Sequence, residues 1–299
     1  MPFDESDPRA RLSASSGPTT ASHFGAISYA KFYETDPQLR ERGGATWIAR
    51  GQHFVLAYSE LEPGATLERI AQEDEHFMLL PDPASAKLSV NGVASTLDGR
   101  QVVIIPPGDS HVTMPAGGRV VRLFTSAAAD LAALSSNSAT YESPAPNLAP
   151  LAPWPEPVGG YKLRTYDLDV EGGGSRFGRI WRSRSLMVNY SYPRPGPRDV
   201  TKMSPHSHAD FEQGSLVVDG SFVHHTRWPW TTNMHAWRAD EHEICAGPSF
   251  TVIPAHAIHT SHCVGREVNQ LVDVFAPPRT DFSEMSGWVL NADEYPMPS

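Results

Sequence analysis

The sequence predicts an all-β protein built from two like halves in tandem. Three observations point there. The 299 residues include 27 prolines and 23 glycines, too much punctuation for a helical bundle. Short runs rich in β-branched residues recur between turn formers in residues 27–126 and again in 161–280. Both stretches also end a β-run in a proline with a histidine five positions on, Ile105-Pro106 with His111 and Ile253-Pro254 with His259, which reads as an internal duplication.

In chain order, residues 1–26 are small and polar and read as a flexible N-terminal arm. The first half carries strand-like runs at 54–58, 87–90, 102–105 and 119–124. Turn formers Pro63-Gly64, Asn91-Gly92, Asp98-Gly99 and Gly117-Gly118 separate them, and Asn91-Gly92 is a two-residue hairpin signal. Residues 127–160 form a linker, an Ala/Ser stretch with room for a helical turn or two and then an extended proline-rich run at 144–157. Strand-like runs resume at 185–190, 214–218, 221–225, 249–253 and 269–275, and residues 281–299 make a C-terminal tail. Leu88 to Gly92 reads like Leu216 to Gly220, a second sign of duplication.

Composition narrows the partners. A net charge of -10 with no basic cluster argues against nucleic acid and anionic membranes. No 18-residue apolar run occurs and the first residues lack the apolar core of a signal peptide, so the expectation is a cytoplasmic protein with a small-molecule substrate. Cys245 and Cys263 are too few for a disulfide framework and read as small buried residues. There is no Gly-rich phosphate loop, no G-x-S-x-G elbow and no C-x-x-C pair.

The chemistry concentrates in the second half. His206 and His208, at i and i+2, face the same side of a strand, Glu212 follows four residues on, and His259 adds a third imidazole. Three nitrogens and one oxygen suit a borderline divalent metal and leave coordination positions open. A lone His-x-His means little; the added Glu212 and the proline-marked His259 make coincidence a poor account, with a vestigial metal-free pocket as the alternative.

These residues resemble the motifs of the cupin superfamily (RmlC-like), and the duplication makes the whole similar to a bicupin. The resemblance implies two double-stranded β-helix (jelly-roll) barrels in tandem. In the family's first motif, H-x-H-x(3,4)-E-x6-G, His206, His208 and Glu212 fit, with seven residues rather than six between Glu212 and Gly220. In the second, G-x5-P-x-G-x2-H-x3-N, Pro254 and His259 fit. Gly247 lies one position too far away, His256 replaces the turn glycine, and Cys263 stands where Asn is usual. The implied ligands are His206, His208, Glu212 and His259. The first half keeps Pro106, Gly108 and His111 but has no His-x-His. It reads as a metal-free barrel, with a degenerate site using His76 and His111 as the alternative.

If Asp219-Gly220 is a two-residue turn and Glu212 faces inward, alternation puts Leu216, Val218, Val223, His225 and Arg227 on the inner face, and a slip of one residue reverses the set. His225 and Arg227 are then pocket candidates, Arg227 suited to a substrate carboxylate. The other histidines of this half, His224, His235, His242, His256 and His262, are candidates to orient the ligands. Residues 228–246 interrupt the two motifs with several tryptophans and read either as a lid over the pocket or as a decorating loop. Arg182 and Arg184 read as a solvated strand face. The resemblance to bicupin dioxygenases implies an Fe(II)-dependent oxidoreductase acting on a small, aromatic or acidic substrate. The alternatives are a Mn(II), Zn(II) or Ni(II) isomerase, lyase or decarboxylase, and a binding module without turnover. It also implies a homodimer.

Overall fold

The computed structural model describes residues 21, 23–171 and 176–298, so most of the expected N-terminal arm, residues 1–20 and 22, lies outside them. Strands dominate, and they form two barrels, each made of a large and a small antiparallel sheet. In the first barrel the large sheet runs Arg164–Asp167, Gln101–Ile105, His76–Leu80, Gly118–Thr125, Phe54–Leu61, Gly44–Arg50, Leu39–Glu41; the small one runs Ala65–Gln72, Gly108–Met114, Ala86–Val90, Val93–Leu97. In the second, the large sheet runs Ser28–Lys31, Ser249–Ile253, Gln213–Asp219, Val268–Phe275, Met187–Ser191, Gly178–Arg182. Its small sheet runs Glu241–Ala246, Ser221–Arg227, Ile258–Cys263.

The two large sheets pack face to face, and the main core lies between the barrels. Leu56, Phe77, Leu79 and Leu123 from one sheet meet Leu216, Val218, Val252 and Val274 from the other. Alternate residues of the same strands fill the first barrel's interior, among them Met78, Leu80, Val103 and Val120. Central strands are thus apolar on both faces, so His76–Leu80 and Ser249–Ile253 are buried at every position instead of alternating.

Strands cross the sequence boundaries drawn at 27–126 and 161–280. Ser28–Lys31 pairs with Ser249–Ile253 of the second barrel, and Arg164–Asp167 pairs with Gln101–Ile105 of the first. The chain before Ser28 is also held down where it is described: Phe24 is buried against Trp228. The linker has a short helix, Ala129–Leu134, and is pinned further on by Trp154, whose N–H donates to the Arg184 carbonyl (2.8 Å). The arginines near it are not a solvated face: Arg182 is buried and its Nε donates to the Tyr295 carbonyl. Residues after 280 pack as well, with Trp288 and Tyr295 buried and the Tyr295 hydroxyl donating to Glu75 (2.8 Å).

Asn91-Gly92 makes the expected hairpin, both residues with positive φ and Val90 paired with Val93. Its likeness to Asp219-Gly220 is only local. Asn91-Gly92 joins two strands of a small sheet, whereas Gly220 (φ 80°) turns the chain from the large sheet into the small one. A Cβ there would meet the Asn269 side chain and the Val268 carbonyl, so glycine is needed for space as well as for φ. Cys245 and Cys263 are buried free thiols. No helix among the described residues is long and apolar enough to cross a membrane.

Candidate metal centre

His206, His208 and His259 converge in the second barrel, with one ligand atom from each within 4.8 Å of the others. An isolated bridge between His206 and His259 holds the two backbones together, through N–H to carbonyl bonds of 3.0 and 2.7 Å. The side chains are aimed by their neighbours. His206 Nδ1 lies 2.9 Å from the Ser204 carbonyl, and His259 Nδ1 lies 2.9 Å from the Ala257 carbonyl. A carbonyl only accepts, so each Nδ1 carries the proton and each Nε2 keeps its lone pair for a metal. Burial holds the His208 imidazole well below its ordinary pKa and brings His259 down to about 4, so both are neutral donors at pH 7. His208 stacks on Phe211, ring centroids 4.4 Å apart.

Glu212 is not with them. It is buried on the opposite side of its strand, facing the first barrel. There its Oε2 accepts from the Gln52 N–H (2.6 Å) and its Oε1 from the Tyr141 hydroxyl (3.1 Å). Burial pushes its carboxyl up to about 7. Gln213 takes the place expected of Glu212. Its Oε1 lies 3.0 Å from His208 Nε2 and 3.4 Å from His259 Nε2. Its Nε2 donates to Asp273 Oδ1 (3.1 Å) and Ser215 (3.1 Å), which fixes the amide with its carbonyl toward the imidazoles. A signal for this lay in the spacing. Leaving six residues before Gly220, or four after His208, places the motif's fourth position at Gln213 and not at Glu212.

The same one-residue phase error moved the pocket wall. The strands Gln213–Asp219 and Ser221–Arg227 lie in different sheets, so Asp219-Gly220 is a corner and not a hairpin. Val217 and Phe222 share a cluster inside the barrel, while Leu216 and Val218 face the other barrel. His224 is buried, and its Nδ1 lies 2.7 Å from Ser261 Oγ. His225 and Arg227, expected in the pocket, are on the outer face instead: His225 meets His242 and His262, and Arg227 pairs with Asp240 (2.6 Å). Residues 228–246 do not line the cavity; Trp230 and Trp237 stack on each other at the surface.

In the first barrel His76 and His111 do not come together. Its strand pairings place His76 where the second barrel has Gln213: both lie opposite a strand-ending isoleucine, Ile105 or Ile253. His76 is buried on Phe124 (4.7 Å) with neither ring nitrogen hydrogen-bonded to protein. A bulge between Gly108 and Ser110 turns Ser110 inward and leaves His111 half exposed beside Glu68. At the position matching Gly108, His256 adopts the left-handed conformation itself (φ 66°).

His206, His259 and Gln213 open on a cavity of about 450 Å³. Arg194, Arg198, Lys202 and Arg279 line it against Asp199 and Asp273, and Phe177, Phe275 and Phe282 supply apolar wall. Arg279 is positioned by Asp281 (2.6 Å) and by the Phe282 ring. Of these residues only His206 and His259 were named from sequence.

No protein-family model matches the sequence, and no curated protein resembles it significantly. Solved structures do. An oxalate decarboxylase from Lactobacillus farciminis, in a formate complex, aligns with a TM-score of 0.56 at 14% identity over 86% of this chain and 88% of that one. A point variant of the Bacillus subtilis oxalate decarboxylase aligns at 0.57 and 13%, over 92% and 80%. AerE from Microcystis aeruginosa aligns at 0.54 and 8%, over 86% and 100%. At these identities the likeness establishes the fold alone: the chain has the RmlC-like cupin fold twice over, the tandem barrels of a bicupin.

Proposed function

We propose that this chain is a metal-dependent bicupin enzyme that holds one divalent ion through His206, His208, His259 and Gln213 and acts on a small carboxylate-bearing molecule. The observation that carries the reading is the triad itself: the Nδ1–H groups of His206 and His259 are locked onto carbonyls, which leaves their Nε2 lone pairs beside a cavity, and His208 Nε2 converges with them against the Gln213 carbonyl oxygen. Burial without protonation is what metal donors need, so the residues present fit such an ion.

Bound there, a divalent ion would act as a Lewis acid on a carboxylate or carbonyl oxygen. Three imidazoles and an amide are all neutral, so none of its charge is cancelled by a ligand. This favours an isomerase, lyase or decarboxylase on Mn(II), Zn(II) or Ni(II). The oxalate decarboxylases of like fold are compatible with it. Arg198 and Lys202 at the wall would orient the substrate carboxylate, and the phenylalanines would exclude water. Asp273 keeps the Gln213 carbonyl aimed inward. A second reading, the Fe(II) oxidoreductase expected from sequence, draws support from the aromatic wall of Phe177, Phe275 and Phe282, which would suit an aromatic substrate.

Elemental analysis of protein purified without added metal tests the centre, and a screen of small carboxylic acids with product analysis and an oxygen electrode tests the reaction. Conversion without oxygen uptake supports the Lewis-acid reading, and iron with stoichiometric oxygen uptake replaces it with the second. Protein that binds no metal on titration sinks both.

A further inference from the structure

The structure assigns Ser261 as a specificity-determining residue of the cavity: held by His224, its hydroxyl donates to a second oxygen of the substrate, which is a 2-oxo acid rather than a plain carboxylate. This rests on the proposed reading of the cavity as a site for a small carboxylate. His259, Ser261 and Cys263 alternate on one face of the strand Ile258–Cys263, and all three line the cavity. Ser261 is paired in register with His224 on the neighbouring strand, so the two side chains share the inner side of the sheet, with Nδ1 2.7 Å from Oγ.

Either atom of that pair could donate, and the far side of the ring decides which one does. His224 Nε2 is buried without a protein partner. Burial brings the imidazole down to about 3, so at pH 7 the ring carries one proton. If Ser261 donated to Nδ1, that proton would sit on Nε2 as a buried N–H with no acceptor, the rarer and costlier defect. With the proton on Nδ1, Nε2 is only an unused lone pair. His224 is therefore the donor and Ser261 Oγ the acceptor, which leaves the hydroxyl hydrogen for the cavity. Among the described residues Oγ has no other hydrogen bond. The same residue tethers the wall's guanidinium: Arg198 Nη1 donates to the Ser261 carbonyl (3.1 Å), and Nη2 to Ser204 Oγ (3.2 Å). A carboxylate oriented by Arg198 thus lies beside the Ser261 hydroxyl, and the acceptor that hydroxyl meets is an oxygen close to the carboxylate. A 2-oxo oxygen accepts such a bond and a methylene cannot, which is how a polar site rejects the analogue that lacks the oxygen.

Calorimetric titration of the full chain with pyruvate and propionate, which differ in the 2-oxo oxygen, tests this. Wild type binds pyruvate more tightly, and Ser261→Ala lowers the ratio of the two affinities about fivefold, the scale of one neutral hydrogen bond. His224→Asn, whose amide N–H stands in for Nδ1–H, keeps the wild-type ratio, and His224→Leu loses it; a role in packing alone would not be rescued in this way. A long-range proton–nitrogen spectrum of wild type, with the His224 signals identified by their absence from His224→Asn, shows the Nδ1–H tautomer. An Nε2–H tautomer overturns the proposal. So does a ratio that Ser261→Ala leaves unchanged, or a wild type that favours neither acid. Metal content measured on the same samples separates this inference from the reading beneath it. Wild type that holds no metal, yet loses its preference on Ser261→Ala, refutes the metal centre and supports the hydroxyl.

Discussion

Glu212 and Gln213 are neighbours with opposite fates, and the difference is a strand's alternation. The carboxyl turns toward the first barrel and the amide toward the imidazoles. Gln213→Leu is therefore expected to weaken metal binding by about 10–100-fold, whereas Glu212→Gln should leave metal content unchanged; metal titration of the two variants compares them directly. At the cavity wall, Arg198→Ala should raise KM for an acidic substrate by about tenfold, the scale of one charge-assisted bond, without altering metal content. His76 makes a pH prediction. Burial brings its imidazole down to about 3, first by desolvation and then through Arg122 and Arg69. The folded state thus binds fewer protons than the unfolded chain between pH 3 and 6.5. Its stability contribution is complete above about pH 6.5 and is lost as pH falls. His208, His224 and His259 are depressed in the same way, so wild type loses stability through the whole window. His76→Leu should make the loss between pH 7.5 and 5 smaller by about 2 kcal/mol, seen in urea midpoints at the two values. An equal loss in the variant would show that His76 titrates normally.

At the scale of elements, strand existence was legible and strand partnership was not. The β-branched run at 249–253 announces a strand, but nothing in its residues says that Ser28–Lys31 completes its edge from across the chain. The exchanged strand is four residues long and only half-buried at each position, so it carries no alternation to read. Removing residues 1–32 should bare that edge and take away the buried rings of Phe24 and Phe32, which contribute about 1.5–3 kcal/mol each. A lower Tm and concentration-dependent association are expected, since an unpaired edge invites pairing with other copies. Light scattering that finds an unchanged, monodisperse species would contradict this. The metal triad was fully legible because its imidazoles are marked by His-x-His and by a proline. The place of Gln213 beside the imidazoles was not, because the spacing from His208 admits Glu212 as well and only the six residues before Gly220 single out Gln213. The bulge at Gly108, which turns His111 outward, has no sequence mark beyond a glycine the motif already expects.

For the whole molecule, the main core belongs to neither barrel. Leu216 and Leu56 are buried between the two large sheets, so a cavity there weakens both halves. Leu216→Ala is expected to cost about 2–5 kcal/mol and to leave one cooperative transition, with fluorescence and far-UV circular dichroism coinciding. Two separated transitions would show that the barrels unfold independently. Phe222 and Cys245 pack with Val217 on the other face of the strand that gives Leu216 and Val218 to that shared core.

The two exchanged strands are also equivalent to each other. Ser28–Lys31 borders Ser249–Ile253, and Arg164–Asp167 borders Gln101–Ile105, which are matching strands of their two sheets. Each half therefore gives its opening strand to the corresponding place in the other, the self-complementary exchange of a twofold pair. The chain is, in that sense, a dimer tied head to tail by its own linker. Separate expression of either half would leave one sheet short of a strand, and the half that carries the His206–His208–His259 triad cannot be cut free without losing the strand Ser28–Lys31 from its large sheet.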